Sequence, residues 1–326
     1  MLLDCQADWG AAILMEASTG DIKAIVNLER CVDGKYREIQ NHAVTDLVEP
    51  GSVFKVASVM TALEDGVCDT TFKIPTGNGV WHVYGRDMKD SHWRSGGYGT
   101  ISLGKAMELS SNIGVSYMVD HFYHNNPERF VKGIWRTGIN DPNISIPIEG
   151  HARPSIRMPE RYPNGQWKNW SKTALLWMSI GYETQIPPIY TLTFYNAIAN
   201  NGRMMQPRFV KATVKNGDTL TAYPPQVVKG REQIASEKTI KIMQDLLHRV
   251  VINGTGKKAN SPNFWVCGKT GTAMIAKNGS YKGAPNHLLS FAGWFGEKDK
   301  PYYSCIVCIQ KQGLPAYGWM SGQVFK

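Results

Sequence analysis

The sequence predicts a mixed α and β fold: a five-stranded antiparallel sheet covered by helices, joined to a mainly helical subdomain. Three observations carry this. Strand-like apolar runs cluster at the two ends of the chain, two near its start and three near its finish. The stretches between follow a helical period, with Ser ahead and Gly behind. At 326 residues, 42% apolar and 19% charged, the chain supports a sizeable core, which excludes a coiled coil, a collagen-like fibre or a disordered tail. The expected sheet subdomain covers residues 1–66 and 230–326, and the helical one 67–229.

The first element is a hairpin, Gly10–Ala17 and Ile22–Asn27, turning at Ser18-Thr-Gly-Asp21. After a polar connector ending at Glu49-Pro50-Gly51, Ser52 opens a helix to about Asp65, closed by Gly66. Val53, Phe54, Val56, Ala57, Val59, Met60 and Leu63 fall almost all round it, the mark of a helix buried mid-domain. Residues 76–100 read as loop with short strands. Helical pattern returns at Ser102–Leu109 and Ile113–Tyr123, jointed at Ser110-Ser-Asn112. Residues 125–169, interrupted by Pro and Gly, read as irregular. Further helices are expected at Ser171–Ile180, at Pro188–Asn201, and from Ser236 to Gly254. Strands Phe264–Ile275, His287–Gly296 and Tyr302–Gln310 complete the sheet.

Several classes drop out. No run reaches the roughly eighteen apolar residues of a membrane span, and no signal pattern opens the chain, which predicts a soluble domain. The net charge of +9 is scattered without a block of like sign, so it reads as a basic surface and no nucleic-acid partner is expected. Cys305 and Cys308 sit in a strand, where their side chains point to opposite faces, against a redox or zinc pair. His121 and His124 lack a second ligand pair, so no metal is expected.

Three short motifs carry chemistry: Ser52-Val-Phe-Lys55, Ser110-Ser-Asn112 and Lys269-Thr-Gly-Thr272. Singly they are weak. S-x-x-K arises roughly once by chance in such a chain, and Ser102-Leu-Gly-Lys105 is a second example; S-x-N recurs at Ser261-Pro-Asn263. Context favours the first set. Ser52 stands at the start of the buried helix, where free N–H groups stabilise a developing anion, with Lys55 one turn on along the same face. A lysine rooted in so apolar a helix is desolvated, which favours the neutral base. Thr270 and Thr272 share one strand face, Gly271 leaves room for a ligand along the backbone, and Lys269 attracts a carboxylate. A phosphate loop ending at Gly268-Lys-Thr fails because position 263 is Asn, and Gly254-Thr-Gly-Lys-Lys258 fails because Lys258 replaces Ser or Thr. No G-x-S-x-G elbow occurs.

The ordered set S-x-x-K, S-x-N, K-T-G marks penicillin-binding proteins and serine β-lactamases. Along nearly its whole length the chain resembles the transpeptidase domain of class B penicillin-binding proteins. The stretches that carry the likeness are Met15–Ala24, Val48–Lys55, Leu109–Val115 and Gly268–Ala273. Ser110-Ser-Asn112, in place of a Ser-x-Asp version, resembles the division-specific, penicillin-binding protein 3-like peptidoglycan D,D-transpeptidases. The resemblance implies a serine β-lactamase/transpeptidase-like fold and an acyl transfer without metal or organic cofactor. Ser52 would attack the penultimate D-alanine carbonyl of a peptidoglycan stem peptide, Lys55 would take its proton, and Ser110, between Lys55 and Lys269, would relay a proton to the leaving amine. Asn112 would bind the substrate amide, and the N–H groups of Ser52 and Thr272 would form the oxyanion hole. Thr270, Gly271 and Thr272, with Lys269, would hold the terminal carboxylate.

Implied partners are the D-Ala-D-Ala donor, an acceptor amine, β-lactam antibiotics and division-complex membrane proteins. The implied location is the periplasmic side of the bacterial inner membrane, and the chain reads as an excised catalytic domain without anchor or pedestal. Rival readings are a D,D-carboxypeptidase, a class D-like β-lactamase or β-lactam sensor, and a non-catalytic scaffold. Gly181-Tyr-Glu183 and Pro187-Pro-Ile-Tyr190 depart from the family's usual Gly-x-Gly and Thr-Pro-x-Gln, and that segment is expected to be structural. The chain is also expected to stop near Gln323, where the last helix begins, leaving one sheet face bare. Trp81-His-Val-Tyr-Gly85 with Trp93 is read as a cleft-edge loop packing on itself in preference to a glycan platform.

Overall fold

A computed structural model describes residues 1–276, 281 and 286–326. The opening hairpin pairs β1 (Ala7–Glu16) with β2 (Ile22–Arg30) around a turn in which Gly20 has a φ of 79°. The sheet continues in β3 (Tyr36–Arg37), β4 (Trp265–Met274), β5 (Asn286–Glu297) and β6 (Lys300–Gln312), in the spatial order β4-β5-β6-β1-β2-β3, every pairing antiparallel. The two chain ends meet at its centre, where Ile13 faces Ile306. Six strands replace the expected five. The two-residue β3 carries no apolar alternation; it is held by the Tyr36 hydroxyl, which donates to the Ala7 carbonyl at 2.6 Å, and by an Arg37–Asp33 ion pair. The polar turn expected between Ile275 and His287 lies largely outside the described residues.

Alternation along the strands gives the sheet two apolar faces. One, with Trp9, Ile13, Met15, Cys267, Trp294 and Cys308, joins the main core with the helices; the other, with Val266, Leu289, Phe291, Cys305 and Val307, forms a second core. Cys305 and Cys308 therefore do point to opposite faces. Each fully buried side chain of the Leu or Phe class contributes about 1.5–3 kcal/mol relative to exposure, so both cores tie the chain ends together.

The main core is filled by α1 (Lys55–Glu64), α2 (Leu103–Leu109), α3 (Asn112–Tyr123), α4 (Pro127–Arg136), α5 (Ala174–Ser179), α6 (Pro188–Ala199) and α7 (Glu237–Asn253). α6 is buried at every residue and lies against the sheet, its Asn196 Nδ2 donating to Ser304 Oγ at 2.9 Å. α4 falls in the stretch expected to be irregular. Its start signal was present: the Asn126 side chain accepts from the Arg129 N–H at 3.1 Å, Pro127 occupies the first turn, and Phe130, Val131 and Ile134 are buried.

The expectation of a bare sheet face near Gln323 is corrected by α8 (Trp319–Phe325), which covers the second core with Met320 and Phe325 buried. The Phe325 ring lies 4.6 Å from that of Phe291. A helix this short is marginal by itself and owes its existence to that packing, which periodicity does not report.

Candidate active site

The chain reaches the site through a turn. Gly51–Val53 forms one 3₁₀ turn and α1 proper starts at Lys55, three residues later than the sequence predicts. The reason is crowding around Gly51, whose φ is 58° and whose N–H donates to the Gly181 carbonyl at 3.2 Å. A Cβ on Gly51 would sit 3.0 Å from Ala273 Cβ, and one on Gly181 (φ 88°) would sit 2.2 Å from the Gly51 carbonyl oxygen. The turn is thus wedged between β4 and the segment after α5, with Ser52 half-buried at its apex.

Lys55 is fully buried, and its Nζ donates to the Ser110 carbonyl at 2.7 Å and to Asn112 Oδ1 at 2.7 Å, with Ser110 Oγ at 3.4 Å. From the opposite side Lys269 Nζ, equally buried, donates to Ser110 Oγ at 2.6 Å and to the Thr270 carbonyl at 3.1 Å. Ser110 is aimed between the two ammonium groups by a left-handed φ of 56°, a conformation few non-glycine residues adopt, at the joint between α2 and α3. Burial pushes the Lys55 ammonium down to about 7, against the pull of the Asp90 carboxylate. Burial also lowers Lys269 well below its ordinary value, and the Lys55 charge acts in the same direction.

Asn112 is turned inward: Oδ1 accepts from Lys55, while Nδ2 donates to the Lys89 carbonyl at 2.9 Å. Both amide atoms are engaged within the protein, where the sequence predicts contact with substrate. Lys55 is likewise directed at Ser110 and Asn112 and is not hydrogen-bonded to Ser52. Catalytic hydrogen bonds often tighten only when substrate is present.

β4 is an edge strand, so half of its N–H groups point away from β5, toward the side where the Ser52 turn packs. Thr270 and Thr272 share the face covered by Gly318, whose Cβ would lie 3.1 Å from Thr270 Cβ and 3.2 Å from Thr272 Oγ1. Thr272 is exposed and Thr270 is buried. At Gly271 a Cβ would lie 2.2 Å from Ser290 Oγ and 3.2 Å from both the Pro50 carbonyl oxygen and Val53 Cγ1. Ser290 of β5, and behind it the turn that bears Ser52, fill the space into which a side chain at this glycine would project.

The Penicillin binding protein transpeptidase domain model matches residues 10–326. The chain belongs to this family. It is 26% identical to the probable peptidoglycan D,D-transpeptidase PenA of Neisseria flavescens, covering 98% of the chain and 74% of that relative. Against the PenA of Neisseria meningitidis (strain Z2491) identity is again 26%, over 98% of the chain and only 50% of the relative, so the chain spans about half of that protein. The transpeptidase domain of Burkholderia pseudomallei penicillin-binding protein 3 superposes with a TM-score of 0.77 at 24% identity, covering 99% of the chain and 87% of that domain, a likeness of fold.

Within this transpeptidase family frame, several residues outside the three motifs shape the site. Asp90, buried, accepts from Ser111 Oγ at 2.7 Å and from the Ile113 N–H at 3.0 Å, locking the turn that carries Ser110 and Asn112. Nothing local marks it; it lies in a loop twenty residues upstream. Glu49 accepts from the Glu183 N–H at 2.9 Å and the Tyr281 hydroxyl at 2.5 Å, and burial raises its pKa. The divergent Gly181-Tyr-Glu183 segment therefore braces the turn bearing Ser52 from behind, and the Tyr182 hydroxyl accepts from the Met274 N–H at 3.2 Å. The second S-x-x-K is a cap: Ser102 Oγ accepts from the Lys105 N–H at 3.2 Å, and Lys105 pairs with Glu108. Trp93 lies beneath Lys89 and Arg94 of the same loop, whereas Trp81 packs on Tyr117 of α3. His121 packs among Phe72, Tyr117 and Phe122, and His124 bonds to Tyr84.

Proposed function

We propose that this chain is the catalytic domain of a peptidoglycan D,D-transpeptidase working through an acyl-enzyme on Ser52. The observation that supports it most directly is the Ser110 hydroxyl set between two buried lysines, 2.6 Å from Lys269 Nζ and 3.4 Å from Lys55 Nζ, beside the turn bearing Ser52. A lysine lowered to about 7 is neutral in a useful fraction near neutral pH and accepts the Ser52 proton as Oγ bonds to the penultimate D-alanine carbonyl carbon. The oxyanion forms against the N–H groups of Ser52 and Thr272, each such donor worth about 3–4 kcal/mol. As the C–N bond breaks, the proton passes from Lys55 through the Ser110 hydroxyl to the departing D-alanine amine. An amine from a second stem peptide then attacks the ester, gives up its proton by the same relay, and releases Ser52 with its hydroxyl restored. Thr270 and Thr272 with Lys269 hold the donor's carboxylate, and Asn112 turns from Lys55 toward the substrate amide. β-Lactams acylate Ser52 as mimics of the D-Ala-D-Ala end.

The Ser-x-Asn form of the second motif supports placing the enzyme in septal wall synthesis with division-complex membrane proteins, on the periplasmic face of the inner membrane. Among the described residues no helix is long and apolar enough to cross a membrane. The test is intact mass after brief exposure to benzylpenicillin, for the wild type, Ser52→Ala and Ser102→Ala. A stable adduct absent only from Ser52→Ala is expected. An adduct that persists in Ser52→Ala refutes the nucleophile; rapid loss of adduct with drug consumed refutes the transpeptidase in favour of a β-lactamase. Release of D-alanine without any cross-linked dimer, when stem peptide and amine are both supplied, points to a carboxypeptidase.

A further inference from the structure

The Gly254-Thr-Gly256 turn, whose likeness to a phosphate loop fails at Lys258, has a place in the site. It follows α7 and is pressed onto the end of α2: the Thr255 N–H donates to the Glu108 carbonyl at 3.1 Å, and a Cβ on Gly254 would lie 2.1 Å from that same oxygen. Glu108 is itself fixed, buried and paired with Lys105 on one side and with Arg249 of α7 on the other. Two residues beyond Glu108 stands Ser110. The Thr255 side chain then reaches to β4, its hydroxyl 2.7 Å from that of Thr270. One residue thus bridges the helix end that aims Ser110 and the strand that carries Lys269-Thr-Gly-Thr272.

We propose that Thr255 is a positioning residue for recognition of the substrate's terminal carboxylate. The proposal rests on the acyl-transfer reading of Ser52 given above. A hydroxyl has one proton to donate. For Thr270 to direct its proton at a carboxylate, it must accept from its neighbour, and Thr255 Oγ1 is the neighbour at 2.7 Å. Thr255 in turn does not drift, because its N–H is tied to Glu108 and no side chain intrudes at Gly254. With Thr255 as the donor of the pair, the Thr270 proton, and not a lone pair, is left to face an anion. It selects ligands with a carboxylate and does nothing for ligands that lack one.

The test compares acylation by benzylpenicillin and by its methyl ester, which lacks the carboxylate, in the wild type, Thr255→Val and Thr255→Ser. Val keeps the shape and removes the hydroxyl; Ser keeps the hydroxyl. Thr255→Val is expected to slow acylation by benzylpenicillin roughly three- to tenfold, the usual effect of losing one neutral hydrogen bond, here the hydroxyl–hydroxyl bond that orients Thr270, while the ester changes less than about twofold. Thr255→Ser is expected to restore most of the wild-type preference. Equal slowing with both compounds would overturn the proposal in favour of a merely structural turn, and so would an unchanged preference in Thr255→Val. If Thr255→Val does not fold, Thr255→Ala is put through the same comparison, with thermal unfolding as the check. Failure of the underlying reading looks different: the adduct would then survive Ser52→Ala.

Discussion

Replacing Asp90 with Asn separates two roles that this residue combines. The carboxylate accepts from Ser111 Oγ at 2.7 Å and from the Ile113 N–H at 3.0 Å, and it draws the Lys55 pKa upward against burial. Asn retains an oxygen for Ile113 but presents an NH₂ to Ser111, whose hydroxyl already accepts from the Gly114 N–H at 2.8 Å and loses its own acceptor. One charge-assisted bond is lost and the other becomes neutral, a destabilisation of about 1–3 kcal/mol. On a scale of about 2–4 °C per kcal/mol this lowers Tm by roughly 2–12 °C. The electrostatic effect has an opposite consequence. Without the carboxylate the Lys55 ammonium loses its support, so its pKa falls further below about 7. The acid limb of the acylation rate, measured by stopped-flow with benzylpenicillin from pH 5 to 9, therefore moves to lower pH in Asp90→Asn. The variant is less stable and yet less sensitive to acid. A limb that moves to higher pH, or stays while Tm falls, would refute the coupling and leave Asp90 as a turn anchor only.

Lys55→Met removes the proposed base and is expected to slow acylation by about 10²–10⁴. It also tests linkage. A lysine near 7 in the fold and near 10.4 in the unfolded chain holds fewer protons when folded, so it makes stability rise with pH across that interval. Urea unfolding at pH 7 and pH 9.5 should show that rise in the wild type and a flatter response in Lys55→Met; equal slopes contradict the depressed pKa. Gly181→Ala places a Cβ 2.2 Å from the Gly51 carbonyl oxygen at a φ of 88°. Beyond the about 1–2 kcal/mol of left-handed strain, it should displace the Ser52 turn and slow acylation more than tenfold. Unchanged acylation would show that the segment does not support the nucleophile.

The residue order by itself determined where the three motifs fall along the helices and strands. Motif type and spacing placed Ser52 a turn ahead of Lys55 and put Ser110 at a helix joint, because helix and strand periods are local properties. The antiparallel sheet followed from strand-like runs at both chain ends, and the cysteines of β6 were assigned to opposite faces by alternation alone. Tertiary structure decided the rest. That Ser110 Oγ sits between Lys55 and Lys269 depends on contacts 55 and 159 residues apart in the chain. Asp90, Thr255 and Gly181 act through one or two contacts each with distant backbone or side chains, and no periodicity encodes these. The same holds for β3 and α8, whose few residues gain too little from local propensity and exist because Tyr36 and Phe325 find partners across the fold. Gly271 shows the difference most directly: the sequence marks a position that needs space, and only packing reveals that Ser290 of β5 and the turn carrying Ser52 occupy it.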